Sequence, residues 1–423
     1  MLDPRFIREN PDLVGKALIQ RLVDLDLDRL LALDRERRDM ITEAEALKRR
    51  RNEVSREIGR RKASGEEAAD VIAEMKSVAR KIHLMDELAR SLDEEYHGLL
   101  LQVPNIPQEG VPVGPDARAA VLIREEGRKR EFGFRPANHL EVGERLGLFD
   151  FSRAARLAGS NFPLFTGSGA RLVRGLINFM IDLHVAEHGF TEICPPFVVN
   201  RSAMTGTGQL PKMEDDMYRL EADDLFLIPT AEVPVTNIHR EEILPGESLP
   251  VRYVAYSPCF RREAGSYGKE TRGLIRLHQF DKVELVAVVE PGASGDEHAR
   301  LLGCCEEVVR RLELPYRILE LPTGDLSFAA ARCYDIEIWA PGQGEWLECS
   351  SVSNFEDFQA RRARIRYRDA AGAVGHPHTL NGSGVALPRT IVAVLENFQE
   401  ADGSVTVPEA LRPYLGGIRR LEA

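Results

Sequence analysis

Four stretches of the 423-residue chain hold side chains able to handle a phosphorylated substrate. The longest runs from Val251 to Val289. It places Arg261, Arg262 and Glu263 before a loop containing Gly265, Gly268 and Gly273, and Arg276, Phe280 and Glu284 after it. Two β-like runs flank that loop, so the stretch reads as a hairpin. Arginine suits phosphate, because its planar fork donates two parallel hydrogen bonds and keeps its charge. A phenylalanine face can stack on a base. The same residues would equally furnish a surface hairpin laced with ion pairs. Glu348-Cys349-Ser350-Ser351 offers a carboxylate and hydroxyls at strand-like spacing, a hard-oxygen cradle for Mg²⁺. Asn381-Gly382-Ser383-Gly384, with Arg389 beyond it, allows close backbone approach and adds a cation at the start of a helix. Thr230-Ala231-Glu232 follows the apolar run Leu225–Ile228. Each of these, taken singly, is also an ordinary structural pattern.

Generic cofactor motifs are missing. Gly-x-Gly occurs at 167–169, 206–208, 342–344 and 382–384, without a third glycine at the dinucleotide spacing. Gly268-Lys269 precedes Glu270 instead of Ser or Thr, so there is no P-loop. His184-x-x-Glu187-His188 matches a zinc signature, but it sits in an amphipathic run and reads as ordinary helix. The cysteines at 194, 259, 304, 305, 333 and 349 form no C-x-x-C pair, and scattered free thiols suit a reducing cytosol.

These residues need a frame. Apolar residues make up 43% of the chain and charged residues 29%, values of a globular protein. The net charge of −11 rules out a general nucleic-acid glue, so any such contact must come from a local basic patch. No apolar run exceeds five residues and no secretory leader is visible, so a cytoplasmic protein without a membrane anchor is expected. Residues 1–28 read as a short helix and a turn.

From 29 to 101 the pattern changes. Val71, Met75, Val78, Ile82, Met85, Ala89, Leu92, Tyr96 and Leu99 step by alternating fours and threes, an unbroken heptad seam. Leu33, Met40, Ala44, Leu47, Val54 and Ile58 keep the same rhythm, with Arg37 and Arg51 in two seam places. Ala63-Ser64-Gly65 marks a turn between them, which predicts two long helices folded into an antiparallel coiled-coil hairpin. Residues 48–62 hold eight basic side chains (Lys48, Arg49, Arg50, Arg51, Arg56, Arg60, Arg61 and Lys62) against two acidic ones. On an acidic chain that asymmetry favours a phosphate-binding arm over a merely solvated face. Residues 102–117, rich in proline and glycine, read as a linker. Residues 118–423 alternate β-like and helical runs, the pattern of an α+β domain.

In combination the stretches resemble a known family. Phe260-Arg261-x-Glu263 with Arg272-Gly-Leu-Ile-Arg-x-His-Gln-Phe280 looks like motif 2 of the class II aminoacyl-tRNA synthetases. Gly382 to Arg389 looks like motif 3, and Gly189 to Pro196, after a long helix, like motif 1. Thr230-Ala-Glu232, Gly206 to Lys212, Phe328 to Asp335, Glu348 to Asn354 and Asp357 to Arg362 narrow the resemblance to bacterial-type seryl-tRNA synthetases, and it runs in order along the whole chain.

The resemblance implies an antiparallel-sheet catalytic domain flanked by helices, a homodimer through motif 1, and Mg²⁺ with ATP but no zinc. It implies activation of L-serine to seryl-adenylate and transfer of serine to the terminal adenosine of tRNA(Ser), and of tRNA(Sec) as well. Arg261 would then hold the α-phosphate and Glu263 the adenine. Phe280 would stack on that ring beside Leu277, and Arg262, Cys349 and Ser350 would complete the ATP contacts. Glu348 and Ser351 would hold Mg²⁺, and Arg389 the γ-phosphate. Thr230, Ala231, Glu232, Glu284 and Ser383 would surround serine. Pro388 stands where the family usually has glycine, a substitution that the first turn of a helix tolerates. Two other readings are a synthetase-like paralogue that loads a carrier protein, expected to lack the arm, and a non-catalytic coiled-coil protein, expected to lack the Arg261, Glu263, Glu348 and Arg389 set.

Overall fold

The computed structural model describes residues 1–65, 67–264 and 273–423, so Gly265, Gly268, Lys269 and Arg272 of the motif 2 loop lie outside the described residues. The described residues divide into two units. One comprises Leu2–Ile19 and Val23–Pro104; the other comprises Met1, Gln20–Leu22 and Asn105–Ala423.

In the first unit, two short helices, α1 (Pro4–Glu9) and α2 (Pro11–Gln20), replace the single helix expected before residue 28. Asn10 ends the first and Pro11 opens the second, since proline at the start of a helix loses no hydrogen bond. The predicted hairpin is α3 (Leu27–Ser64) and α4 (Ala69–Leu100), with Asp26 capping the start of α3 and Gly65 closing it at φ 75°. All nine α4 seam residues are buried or half-buried, whereas Leu84 and Leu88, off the seam, are exposed. Each fully buried aliphatic side chain on such a seam stabilises it by about 1.5–3 kcal/mol. The two arginines on the seam behave differently. Arg37 lies over the Tyr96 ring, 4.8 Å from its centre, and reaches Asp93 at 2.8 Å, while Arg51 turns out to solvent. Arg29–Glu95, Lys48–Asp86 and Lys81–Glu43 add cross-helix pairs.

The second unit is built on an eight-stranded sheet. Its strands in chain order are β1 (Val121–Glu126), β2 (Thr191–Glu192), β3 (Val251–Phe260), β4 (Gln279–Val289), β5 (Tyr316–Glu320), β6 (Arg332–Ala340), β7 (Glu345–Asn354) and β8 (His378–Ala386). Their spatial order is β1-β5-β6-β7-β8-β4-β3-β2, antiparallel except for the β2–β3 pair. Helices α5 (Gly167–Ala186), α7 (Ser294–Arg311) and α8 (Leu387–Asn397) pack on it, and the short α6 (Glu232–Thr236) lies against β4. Strand alternation separates core from cleft. On β4, Val283, Leu285, Ala287 and Val289 enter the main hydrophobic core with Leu301, Val308, Ile391 and Val394, so Phe280, Lys282 and Glu284 face the other way. Pro388 sits in the first turn of α8 and leaves the helix intact.

The stretch read as a linker over 102–117 is docked from Asn105 onward. Asn105 donates to the Ala329 and Phe355 carbonyls, and the Pro112 and Gly114 carbonyls accept from the Thr323 and Gly324 amides. Prolines that read as breaks in secondary structure leave carbonyls free for such pairing. No helix among the described residues is long and apolar enough to cross a membrane.

Candidate active site

The β3–β4 hairpin pairs Cys259 with Phe280 and Ala255 with Glu284, so both predicted arms open into one cleft of about 610 Å³. At the hairpin end the Arg261 amide donates to the His278 carbonyl, at 3.0 Å. The Arg261 guanidinium lies 5.1 Å from the centre of the Phe280 ring, with Nε donating to the Pro229 carbonyl. Glu263, at φ 53°, pairs with Arg276 at 2.9 Å. From α8, Arg389 donates to the Glu348 carbonyl at 2.6 Å and approaches its carboxylate at 3.2 Å. These side chains make a cationic, aromatic-floored end.

The other end is polar and buried. Glu284 has three direct partners among the described residues. Lys282 contacts Oε2, Thr230 donates to the same oxygen at 2.8 Å, and Asn381 donates to Oε1 at 3.0 Å. Lys282 lies two residues before Glu284 on one strand and therefore on the same face. Glu232 differs: Gln359 donates to Oε1 at 2.7 Å, and among the described residues no cation neutralises it by direct contact. Burial, then repulsion from Glu284, pushes the Glu232 carboxyl up to about 7, against partial relief from Gln359, Lys282 and Arg261. An incoming ammonium group would find a negative partner here, at a site ready to ionise.

Glu348 and Ser351 stand side by side on β7, with the Ser351 hydroxyl 3.5 Å from Glu348 Oε1 and in contact with Asp335. Burial, and then the Glu348 charge, raises the Asp335 carboxyl well above its ordinary range. Among the described residues no group of three or more His, Cys, Asp and Glu could hold a metal. A carboxylate beside a hydroxyl still fits Mg²⁺, which is usually held by one or two protein oxygens together with substrate phosphates.

Thr230, Glu232, Arg261, Glu263, Leu277, Phe280, Glu348, Cys349, Ser351, Ser383 and Arg389 line the cleft, and Glu284 reaches it through the shared network. Ala231, Arg262 and Ser350 do not line it. Ala231 is buried against Val235, Ala255 and Val286; Arg262 is exposed, its amide bound to the Asp216 carbonyl; and Ser350 donates to the Ser383 carbonyl at 2.5 Å, tying β7 to β8. Sequence reasoning passes over Lys282, Asn381, Gln359 and Asp335 as functional residues; only the alternation of β4 signals the first. In the zinc-like signature, His184 is buried with its ring nitrogens on the Gly384 carbonyl and His188, and Glu187 pairs with Arg311.

A mostly antiparallel sheet with an arginine from a hairpin and an arginine from a C-terminal helix facing one cleft defines a class II aminoacyl-tRNA synthetase core. Residues 213–398 match the model of the tRNA synthetase class II core domain (G, H, P, S and T), and residues 1–107 match that of the seryl-tRNA synthetase N-terminal domain. The chain is 54% identical over 421 residues to a serine–tRNA ligase of Pelotomaculum thermopropionicum and 53% identical over 422 residues to one of Geobacter sulfurreducens, covering 100% of both chains in each case. Its fold superposes with a TM-score of 0.92 and 38% identity on a seryl-tRNA synthetase of Pyrococcus horikoshii solved with ATP, over 100% of this chain and 99% of the other. The chain belongs to the seryl-tRNA synthetase family, ATP-dependent ligases that join serine to tRNA. The match over residues 1–107 gives no support to the carrier-loading alternative.

Proposed function

We propose that the cleft first joins L-serine to ATP as seryl-adenylate and then transfers serine to the terminal adenosine of tRNA(Ser), and of tRNA(Sec). The observation that carries this reading is the pairing, in one cleft, of a buried acidic end with a cationic, aromatic end. In the first step a serine carboxylate oxygen bonds to the α-phosphorus while the bond to the β-phosphate oxygen breaks and pyrophosphate leaves. The carboxylate is already ionised at neutral pH, so no protein base is required. Catalysis is positioning plus stabilisation of charge developing on the phosphates. Arg261 serves the α-phosphate, Arg389 the γ-phosphate, Phe280 stacks on adenine and Glu263 orients it. Glu348 and Ser351 would hold Mg²⁺, which neutralises phosphate charge when bound.

The serine ammonium goes to Glu232, because Glu284 already has a cation and two donors. Thr230, Glu284, Asn381 and Ser383 surround the hydroxyl. Asn381 Oδ1 is buried with no hydrogen-bond partner among the described residues, so a serine hydroxyl can donate to it, whereas alanine would leave it unpaired and is rejected.

For tRNA, the support is the arm. Among the described residues Arg50, Arg51, Arg56, Arg60 and Lys62 are exposed and make no ion pair, whereas Lys48, Arg49 and Arg61 are paired. Such cations suit RNA backbone read by shape. The short strand β2 after α5 ends the sheet exposed, which supports a homodimer through motif 1. Six free cysteines, five of them buried, fit a cytoplasmic setting. ATP–pyrophosphate exchange with all twenty amino acids, in Mg²⁺ and without tRNA, tests the first step. Exchange with serine alone is expected; exchange with alanine or glycine would refute the pocket.

A further inference from the structure

Gln20–Leu22, between the arm unit's segments Leu2–Ile19 and Val23–Pro104, belongs to the catalytic unit, as does the chain from Asn105 onward. At both points, within the catalytic unit, it grips the same loop. Arg21 is 7% exposed, and among the described residues its hydrogen-bond acceptors are all backbone carbonyls. Its guanidinium donates to Ala330 at 2.7 Å, Ser327 at 2.6 Å and Leu326 at 3.3 Å. The Asn105 amide donates to the Phe328 carbonyl at 3.2 Å, and its side chain donates to that of Ala329 at 2.9 Å. The Gln108 amide donates to the Ala331 carbonyl at 2.9 Å. Six consecutive carbonyls, Leu326 to Ala331, are therefore held by residues 21, 105 and 108.

This is a costly way to hold a loop. Burial lowers the Arg21 pKa to about 10. A cation buried on carbonyls alone is costly, since dipoles repay its lost hydration only in part.

The loop leads to the serine end of the cleft. Ser327, Phe328 and Ala329 line the cleft wall. Gly208, at φ 97°, packs behind them, and a methyl group there would meet the Ala329 Cβ at 3.2 Å. The neighbouring Thr207 carbonyl accepts from Gln359 Nε2, the same group that holds Glu232. Packed and hydrogen-bonded contacts thus run without a break from Arg21 to Glu232.

We propose that Arg21 and Asn105 are positioning residues which clamp the Leu326–Ala331 loop at the two junctions of the arm, so that engagement of the arm by tRNA is felt at the serine end of the cleft. The inference rests on serine lying at the Glu232 end, as proposed above.

Full-length R21K and N105A are compared with wild type in serine-dependent ATP–pyrophosphate exchange without tRNA. Lysine keeps the charge but gathers its donors on one nitrogen, so it cannot span the carbonyls that the two terminal nitrogens of Arg21 bridge. Serine KM is expected to rise about five- to tenfold with ATP KM changed less than about twofold, a split that general loosening of the fold would not produce. Equal rises in both constants, or no rise in either, overturn the clamp. Hydrogen exchange on the unmodified protein needs no variant. Adding tRNA is expected to slow amide exchange at 326–331 about threefold or more, and unchanged exchange there overturns the coupling. The two readings fail separately: exchange that does not depend on serine removes the assignment of the cleft, whereas serine-dependent exchange indifferent to R21K and N105A removes only the clamp.

Discussion

Glu232→Gln changes one oxygen to an amide in a buried site and tests the assignment of the serine ammonium. Glu232 is 7% exposed, and burial together with Glu284 holds its carboxyl near 7. An ammonium ion needs the carboxylate form. With a pKa near 7, the ionised fraction falls from about nine-tenths at pH 8 to about one-tenth at pH 6, so the wild-type serine KM rises about tenfold over that range. Glutamine removes the titration and the charge. The KM of E232Q should be independent of pH and about 10- to 100-fold higher at pH 8, the equivalent of roughly 1.5–3 kcal/mol for a hydrogen bond to a charged group. The same change should stabilise the fold. An acid whose folded pKa is raised destabilises the native state as pH climbs from its ordinary value of 4.5 to about 7, because the unfolded chain ionises first. At pH 8 that cost is fully present, about 3 kcal/mol as an upper bound, and E232Q lacks it. Serine-dependent pyrophosphate exchange from pH 5.5 to 8.5, with urea midpoints at pH 8 and pH 5, measures both effects. A wild-type serine KM that is flat between pH 6 and 8, or an E232Q profile that keeps the wild-type slope, refutes the reasoning.

Arg389→Ala removes the cation beside Glu348 and should lower kcat of exchange about 10²- to 10³-fold, the usual loss for one charge-stabilising donor; a near-normal rate would move the γ-phosphate elsewhere. Replacing Arg50, Arg51, Arg56 and Arg60 with glutamine should weaken tRNA binding. It should also flatten the slope of log K against log salt by about 0.7–0.9 for each phosphate no longer neutralised, as read from titrations at several salt concentrations with serine activation as the folding check. An unchanged salt slope would clear those residues of tRNA contact. Gly169→Ala places a methyl group 2.0 Å from the Leu148 carbonyl oxygen at the start of α5, so a urea titration should show a loss of about 1–3 kcal/mol.

The arm is legible in the sequence. A heptad seam is a local property: Ile82, Met85 and Tyr96 are buried because their spacing puts them on one stripe, wherever the partner stripe lies. Gly65 marks the turn for a reason equally local, the left-handed backbone that closes α3. The β3–β4 hairpin follows from two β-like runs around a glycine-containing loop, and strand alternation then puts Phe280 and Glu284 on one face. The chemistry of Arg261 and Arg389 can be named from residue type.

What each residue does depends on segments that meet only in three dimensions. Glu232 and Glu284 read alike in the sequence. Glu284 pairs with Lys282 and accepts from Thr230 and Asn381, whereas Glu232 is buried with an amide for a partner, and its carboxyl is pushed up to about 7. Ser350 and Ser351 point opposite ways by ordinary strand alternation, but Glu348 and Ser351, three residues apart, both line the cleft because β7 is irregular at Cys349 where it passes β6. The proline-rich stretch from Asn105 reads as a linker, since nothing nearby in sequence shows its partners. Arg21 reaches a carbonyl 309 residues away. Periodicity and residue type act over a few residues and survive in the sequence. Burial, pairing and pKa depend on which distant segments are packed together, and the tertiary structure alone decides them.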